Sequence, residues 1–307
     1  MNKLFRKFRR KGGPVAMPAP SSTESPTRPL PDSFPSFPPS TIETHPLRLE
    51  TPQLLSGCGY SVGMQRDHNE DALFSLTTTL LSEAQSLPFG LYIVADGMGG
   101  HKHGEVASEI AVHTIAAHVV RKAYLLQLAP NNGNPEQSLQ EILQEAIHIA
   151  HRAIMREAPG GGTTLTAGLI LGGQMTIAHI GDSRAYLFYP NGRLEILTRD
   201  HSLVKRLEEL GQISAEEAAI HPQRNVLYRA LGRGDLFDAE IFTTSLPESG
   251  HLLICSDGLW GAVSDQEMYR LTTTVSSPAE ACQRLIEAAN AAGGPDNITV
   301  LLVRLPD

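Results

Sequence analysis

Apolar residues recur with two periods from residue 54 onward, and the change of period marks out the elements. Aliphatic and aromatic runs at 57–63, 71–76 and 89–95 predict three strands. The segment from about 104 to 128 is Ala-rich and apolar on more than one side, which predicts a well-buried helix. From about 136 to 157, Leu139, Ile142, Leu143, Ala146, Ala150 and Ala153 follow a 3.6-residue period and predict a second helix. Strands return at 163–171, 175–180 and 184–189, and Asn191-Gly192, both tolerant of positive φ, predicts a hairpin turn. Residues 201–232 are polar and read as a small, mostly helical flap. Strands at 239–245 and 251–255 follow. Two helices then open at Ser264-x-x-Glu267 and Ser277-Pro278-x-Glu280, both read as capping boxes, before a last strand at 297–303. Hairpins in succession with paired helices between them predict an α+β fold, with antiparallel sheets packed between helices; the regular alternation of a doubly wound parallel sheet is missing.

Charge changes this picture at one end. Residues 1–52 carry 8 Lys+Arg and 4 Asp+Glu, whereas the rest carries 17 Lys+Arg against 29 Asp+Glu, a net of −12. An acidic body argues against nucleic acid as a partner. Residues 12–52 also hold 11 of the 21 prolines, so residues 1–52 are expected to be a disordered tail and 53–307 the folded domain. Within the tail, residues 3–11 hold six basic residues with Leu4, Phe5 and Phe8. That stretch suits a weak peripheral contact with an anionic membrane, or an acidic partner, as well as it suits a solvated end. No apolar run reaches the roughly 18 residues of a membrane span, and no signal peptide is visible, so the expected compartment is the cytoplasm. Cys58, Cys255 and Cys282 form no CxxC pair and are read as reduced core thiols.

Candidate chemistry lies in acidic motifs where strands end or turn. They are Arg66-x-x-Asn69-Glu70-Asp71, Asp96-Gly97-Met98-Gly99-Gly100, Gly181-Asp182-Ser183-Arg184, Ser256-Asp257-Gly258 and Gly294-Pro295-Asp296-Asn297. Any one of them alone reads as a turn. Asp96 and Asp257, however, directly follow apolar strands, where a carboxylate is desolvated unless paired or bound to metal. Oxygen donors without His-rich spacing point to Mg²⁺ or Mn²⁺ rather than Zn²⁺, and Gly97 lets a backbone carbonyl approach such an ion.

This motif set, in this order, resembles the metal-dependent protein phosphatases, the type 2C Ser/Thr family, and its bacterial branch above all. Gly104-Glu105-x-Ala107-Ser108, Gly162-Thr163-Thr164, Asp200-His201-Ser202, His221-Pro222 and Arg229-Ala230-Leu231-Gly232 match too, so the resemblance covers about residues 57–304. It implies a pair of antiparallel sheets flanked by helix pairs (an α-β-β-α sandwich) with two metal ions, and a third in bacterial members, in a cleft at one end. Asp96 resembles the bridging carboxylate, the Gly97 carbonyl a ligand of one ion, and Asp257 and Asp296 ligands of the other. Asp182 resembles, with Asp257, the third site. Glu70 and Asp71 resemble ligands or water-holding groups around the pair, and Arg66 the residue that grips the phosphate. The implied reaction is attack by a metal-activated water on phosphoserine or phosphothreonine. Where some members carry a His proton donor this chain has Met98, which leaves a metal-bound water as the implied acid. Phosphorylated proteins, including a Ser/Thr kinase, are the implied partners, and a monomer the implied state. A non-catalytic phosphate-binding relative and a structural metal-binding domain are the alternatives; the intact set of Arg66 and the aspartates argues against both. His101 and His103 read as surface turn residues, and His148 and His151 as solvated positions on the second helix.

Overall fold

The structure, a computed structural model, describes residues 53–81, 86–99, 102–128, 137–234 and 237–306. The predicted tail, 1–52, lies outside the described residues. Strands β1 (Leu55–Ser61), β2 (Asp71–Leu81) and β3 (Ser86–Met98) come first. Helix α1 (Lys102–Val119) runs through a π-helical turn, Val120–Tyr124, into α2 (Leu125–Gln127). After α3 (Leu139–Glu157) come β4 (Gly162–Thr163), β5 (Leu165–Leu171), β6 (Gln174–Ile180), β7 (Arg184–Phe188) and β8 (Leu194–Ile196). Two short helices, α4 (Leu203–Glu209) and α5 (Ala215–Ala219), precede β9 (Glu240–Ser245) and β10 (His251–Cys255). The chain closes with α6 (Asp257–Trp260), α7 (Asp265–Thr273), α8 (Pro278–Ala291) and β11 (Ile298–Arg304).

The strands form two antiparallel sheets. One has the order β1-β11-β10-β7-β8 and the other β2-β3-β5-β6-β9, with β4 paired to β3. Tyr92, Val94, Ile177, Leu187, Ile254 and Leu301 fill the layer between the sheets. Helices α1 and α3 cover the outer face of the second sheet, and α6, α7 and α8 that of the first. The α-β-β-α sandwich expected from the sequence is therefore the observed fold. Glycine permits one close contact in it. A Cβ at Gly57 would meet the Ala279 backbone nitrogen at 2.3 Å, so α8 lies directly on β1 because Gly57 carries no side chain.

Several local expectations need correction. Helix α1 buries one stripe, including Ala107, Ala111, Val112, Ile115 and Val119, while Val106 and His113 face solvent. Its alanines widened the apparent apolar arc without all facing the core. The flap is less helical than predicted: Gly211, at φ 67°, follows α4, and the chain from 220 to 230 runs in turns. Ser264 and Ser277 do cap α7 and α8, accepting from the backbone N–H of Glu267 and Glu280. Neither box closes, because those glutamates bind Arg270 and Arg284 instead. The reciprocal boxes are Ser138/Glu141 on α3 and Ser214/Glu217 on α5. Cys255 and Cys282 are buried as expected, but Cys58 is exposed: it points away from α8, on the opposite side of β1 from Gly57 and Gly59.

Candidate active site

Antiparallel pairing brings the acidic motifs to one end of both sheets. Asp71 opens β2 and stands opposite Asp96 near the end of β3. Asp182 lies in the β6–β7 turn. Cys255, the last residue of β10, pairs with Arg184 on one side and Val300 on the other, which places Asp257 and Asp296 at the same end as that turn. Hydrogen bonds fix the backbone beneath. Thr164 accepts from the Asp96 N–H at 2.9 Å, and Thr163 Oγ1 donates to the Asp96 carbonyl at 2.9 Å. Asn297 Oδ1 accepts from the Glu70 N–H at 2.8 Å, while Ser256 Oγ donates to Asp71 Oδ2 at 2.9 Å. Gly97 is packed so tightly that a Cβ would meet the carbonyl oxygens of Gly104 and Glu70 at 2.3 and 2.5 Å. Its N–H donates to the Glu70 carbonyl.

The electrostatics are those of acids facing acids. Burial, then Asp71, Asp257 and Asp182, holds Asp96 well above the usual carboxylate range, although the residue as a whole keeps some exposed surface. Burial and then Asp182 and Asp296 do the same for Asp257. Burial lifts Asp71 to about 6, and burial together with Asp200 lifts Asp182 to about 7. Arg66 is the cation that opposes this around Asp257, and its Nη2 donates to Asp296 Oδ2 at 2.6 Å. The Glu70 carboxylate is turned aside to His68, 3.2 Å away.

Such a donor set fits hard divalent cations. Asp257 Oδ1 is buried and has no hydrogen-bond partner, a costly state for a carboxylate oxygen unless a cation satisfies it. Among the described residues no three His, Cys, Asp or Glu side chains already stand as a coordination shell. That is consistent with Asp296 facing Arg66, and with ions that complete their shells from backbone carbonyls and water. A cleft of about 570 Å³ opens over the centre, lined by Arg66, Asp182, Asp257 and Asp296 on one side and by Lys205, Ala218 and Arg224 of the flap on the other.

Sequence reasoning quoted Arg184 and Asp200 within motifs but gave them no task, and it passed over Trp260. Arg184 binds Asp200 through both prongs of its guanidinium, at 2.9 and 2.7 Å, and lies 3.6 Å over the Trp260 ring. The indole N–H donates to the Asp182 carbonyl at 2.9 Å. The signal available was that this is the single tryptophan of the chain, three residues after a candidate ligand. His151, expected in solvent, is only 4% exposed. It stacks on Phe237 and accepts from the Gly232 N–H, because α3 turns that side toward the end of the flap rather than outward. His103 and His148 are exposed, as expected; His101 lies outside the described residues.

Comparison with known proteins gives a consistent answer. The chain matches the family described as Protein phosphatase 2C over residues 59–298. The serine/threonine phosphatase stp of Listeria monocytogenes is 39% identical over 241 residues, which is 78% of this chain and 92% of that protein. The serine/threonine protein phosphatase PstP of Mycobacterium tuberculosis is 34% identical over 251 residues, 80% of this chain and 44% of that one. The solved catalytic domain of PstP in complex with two manganese ions superposes with a TM-score of 0.67 at 32% identity, covering 84% of this chain and 100% of that domain.

Proposed function

Since the chain belongs to the protein phosphatase 2C family and is a metal-dependent protein serine/threonine phosphatase, we propose that the acid-lined cleft is where it removes phosphate from its phosphorylated protein substrates. The observation that supports this reading is the convergence of Asp71, Asp96, Asp182 and Asp257, largely buried and mutually repelling, beside the half-exposed Arg66 guanidinium. Asp96 and the Gly97 carbonyl would hold the metal pair together with Asp257 and Asp296, and Asp182 with Asp257 would hold a third ion. Glu70 and Asp71 would support this set: Asp71 directly across the ladder from Asp96, Glu70 through its carbonyl, which accepts from Gly97 and Ser108. When bound, the ions supply Lewis acidity that makes water a nucleophile at neutral pH and offsets phosphoryl charge. Arg66, which is half exposed and already donates to a carboxylate, presents the planar fork that phosphoryl oxygens require. The flap forms the other wall of the cleft. Met98 has no proton to give, so the leaving Ser or Thr oxygen takes its proton from water.

Finer properties follow the same reading. Three free cysteines, one of them exposed, fit a reducing compartment such as the cytoplasm. Among the described residues no helix is long and apolar enough to cross a membrane. Mg²⁺ would serve as well as Mn²⁺ in an all-oxygen site, and a phosphorylated Ser/Thr kinase remains the partner that the sequence resemblance implies. The test is a Mn²⁺ titration of phosphopeptide and p-nitrophenyl phosphate hydrolysis. Asp257→Ala should lose activity on both substrates by about a thousand-fold or more, as expected when metal-assisted electrostatic stabilisation is lost. Asp182→Ala should keep the tightly bound ions. Full activity of Asp257→Ala would refute the site.

A further inference from the structure

The turn that carries Asp182 is held from several directions. His201 donates its backbone N–H to the Gly181 carbonyl at 2.7 Å, and the Gly181 N–H donates back to His201 Nδ1 at 3.1 Å. Thr164 and Ser183 join their hydroxyls at 2.7 Å. These contacts fix the two neighbours of Asp182. The carbonyl of Asp182 itself is fixed by the Trp260 indole N–H. Trp260 is the last residue of α6, and Asp257 is the first. Residues three apart on one helical turn share a face. A single turn of helix therefore presents one carboxylate and, three residues on, clasps the backbone of the other.

The two sides of the indole do different work. Its edge binds Asp182, and its face carries the Arg184 guanidinium, whose fork holds Asp200 at the start of the flap. Trp260 is only part-buried and stands in the cleft wall beside Asp182, Arg184 and Asp200. A residue there merely to fill space would need neither an aimed N–H nor a stacked cation.

We propose that Trp260 is a positioning residue that sets the spacing between Asp182 and Asp257 through its indole N–H and ties that spacing to the flap through Arg184. This rests on the reading that those two aspartates share a cation. The chain has one tryptophan, so growth with β-(3-benzothienyl)alanine in place of tryptophan exchanges sulfur for the N–H at residue 260 alone. Mn²⁺ binding is read by calorimetry on the full chain, beside melting in EDTA. The wild-type protein should show a weak step that Asp182→Ala removes. The sulfur analogue should weaken that step roughly three- to ten-fold, as expected from losing one hydrogen bond. It should leave the tighter steps and the metal-free melting temperature unchanged. Trp260→Phe, which keeps a ring under Arg184 but has no N–H, should behave alike and carries the test if the analogue-labelled protein does not fold. An isotherm identical to wild type overturns the proposal, as does equal weakening of every step with a lowered melting temperature, which would mark Trp260 as packing. If Asp182→Ala leaves all steps intact, the assignment of Asp182 fails first and this inference falls with it.

Discussion

Two groups of buried acid stand side by side in this molecule and are treated in opposite ways. At the start of the flap, Asp200 meets a bidentate Arg184, which also reaches the Tyr186 hydroxyl at 3.2 Å. Burial alone would lower the Arg184 pKa, but those partners raise it instead. In the acidic cluster at the sheet ends, Asp96 and Asp257 face other carboxylates, and one Asp257 oxygen has no partner. A paired buried charge is a joint, and it costs most when one half is removed. An unpaired buried cluster costs stability while it is ionised, and it persists where a cation recovers the loss. The difference separates the ion-paired acid from those proposed to hold metal without any appeal to position in the sequence.

The contrast breaks most sharply in metal-free stability. Asp200→Asn strands Arg184 and should destabilise the EDTA-treated protein by about 3–5 kcal/mol, lowering Tm by roughly 10 °C. Asp257→Asn should raise Tm under the same conditions, because it removes a repelling charge. Scanning calorimetry of the two variants in EDTA decides; shifts of the same sign would erase the distinction. Arg66 comes next. Replacing it with Ala removes a charge-assisted fork worth about 1.5–3 kcal/mol, so kcat/KM on phosphopeptide should fall roughly ten- to hundred-fold, mainly through KM, with Mn²⁺ affinity changed less.

A smaller effect follows from pH. Asp71 and Asp182 are raised to about 6 and about 7, so protonation favours the folded metal-free protein. Their contribution is present in full below the ordinary Asp value near 4 and is lost as pH rises through 6 to 7. Buried His179, lowered to about 3 by desolvation and by His201, works in the opposite sense: its contribution is full above 6.5 and is lost as pH falls toward 3. The difference in Tm between Mn²⁺ and EDTA cancels the histidine and isolates the carboxylates. It should widen from pH 5 to pH 7.5 by several degrees; a constant difference would mean that the carboxylates do not titrate as the geometry implies. Least of all, removing residues 1–52 should leave kcat and KM on a soluble phosphopeptide unchanged, since every residue placed at the cleft lies at or after Gln65. Loss of binding to anionic vesicles at low salt would assign the basic stretch of residues 3–11 its own task.

Local chemistry was legible in the chain. Alternating apolar runs located strands to within a few residues, except where they ran on: β2 continues to Leu81 because Thr77, Thr78 and Thr79 also suit a ladder. Strand β8 and the single turn α6 are too short to carry a period and were missed. Acid at strand ends drew attention to Asp96, Asp182, Asp257 and Asp296, but each motif alone reads as a turn, and it was the resemblance of the whole ordered set to a known family that implied their roles. What only the tertiary structure decided were partners far apart in sequence: Arg66 with Asp296 across 230 residues, Trp260 with the Asp182 carbonyl across 78, and Ser256 with Asp71 across 185. Sheet register sets those meetings, and register emerges from the packing of two whole sheets rather than from any window of sequence. The same reason placed His151 inside the protein: a helix pattern specifies which residues share a face, while the element packed against that face decides whether it is wet.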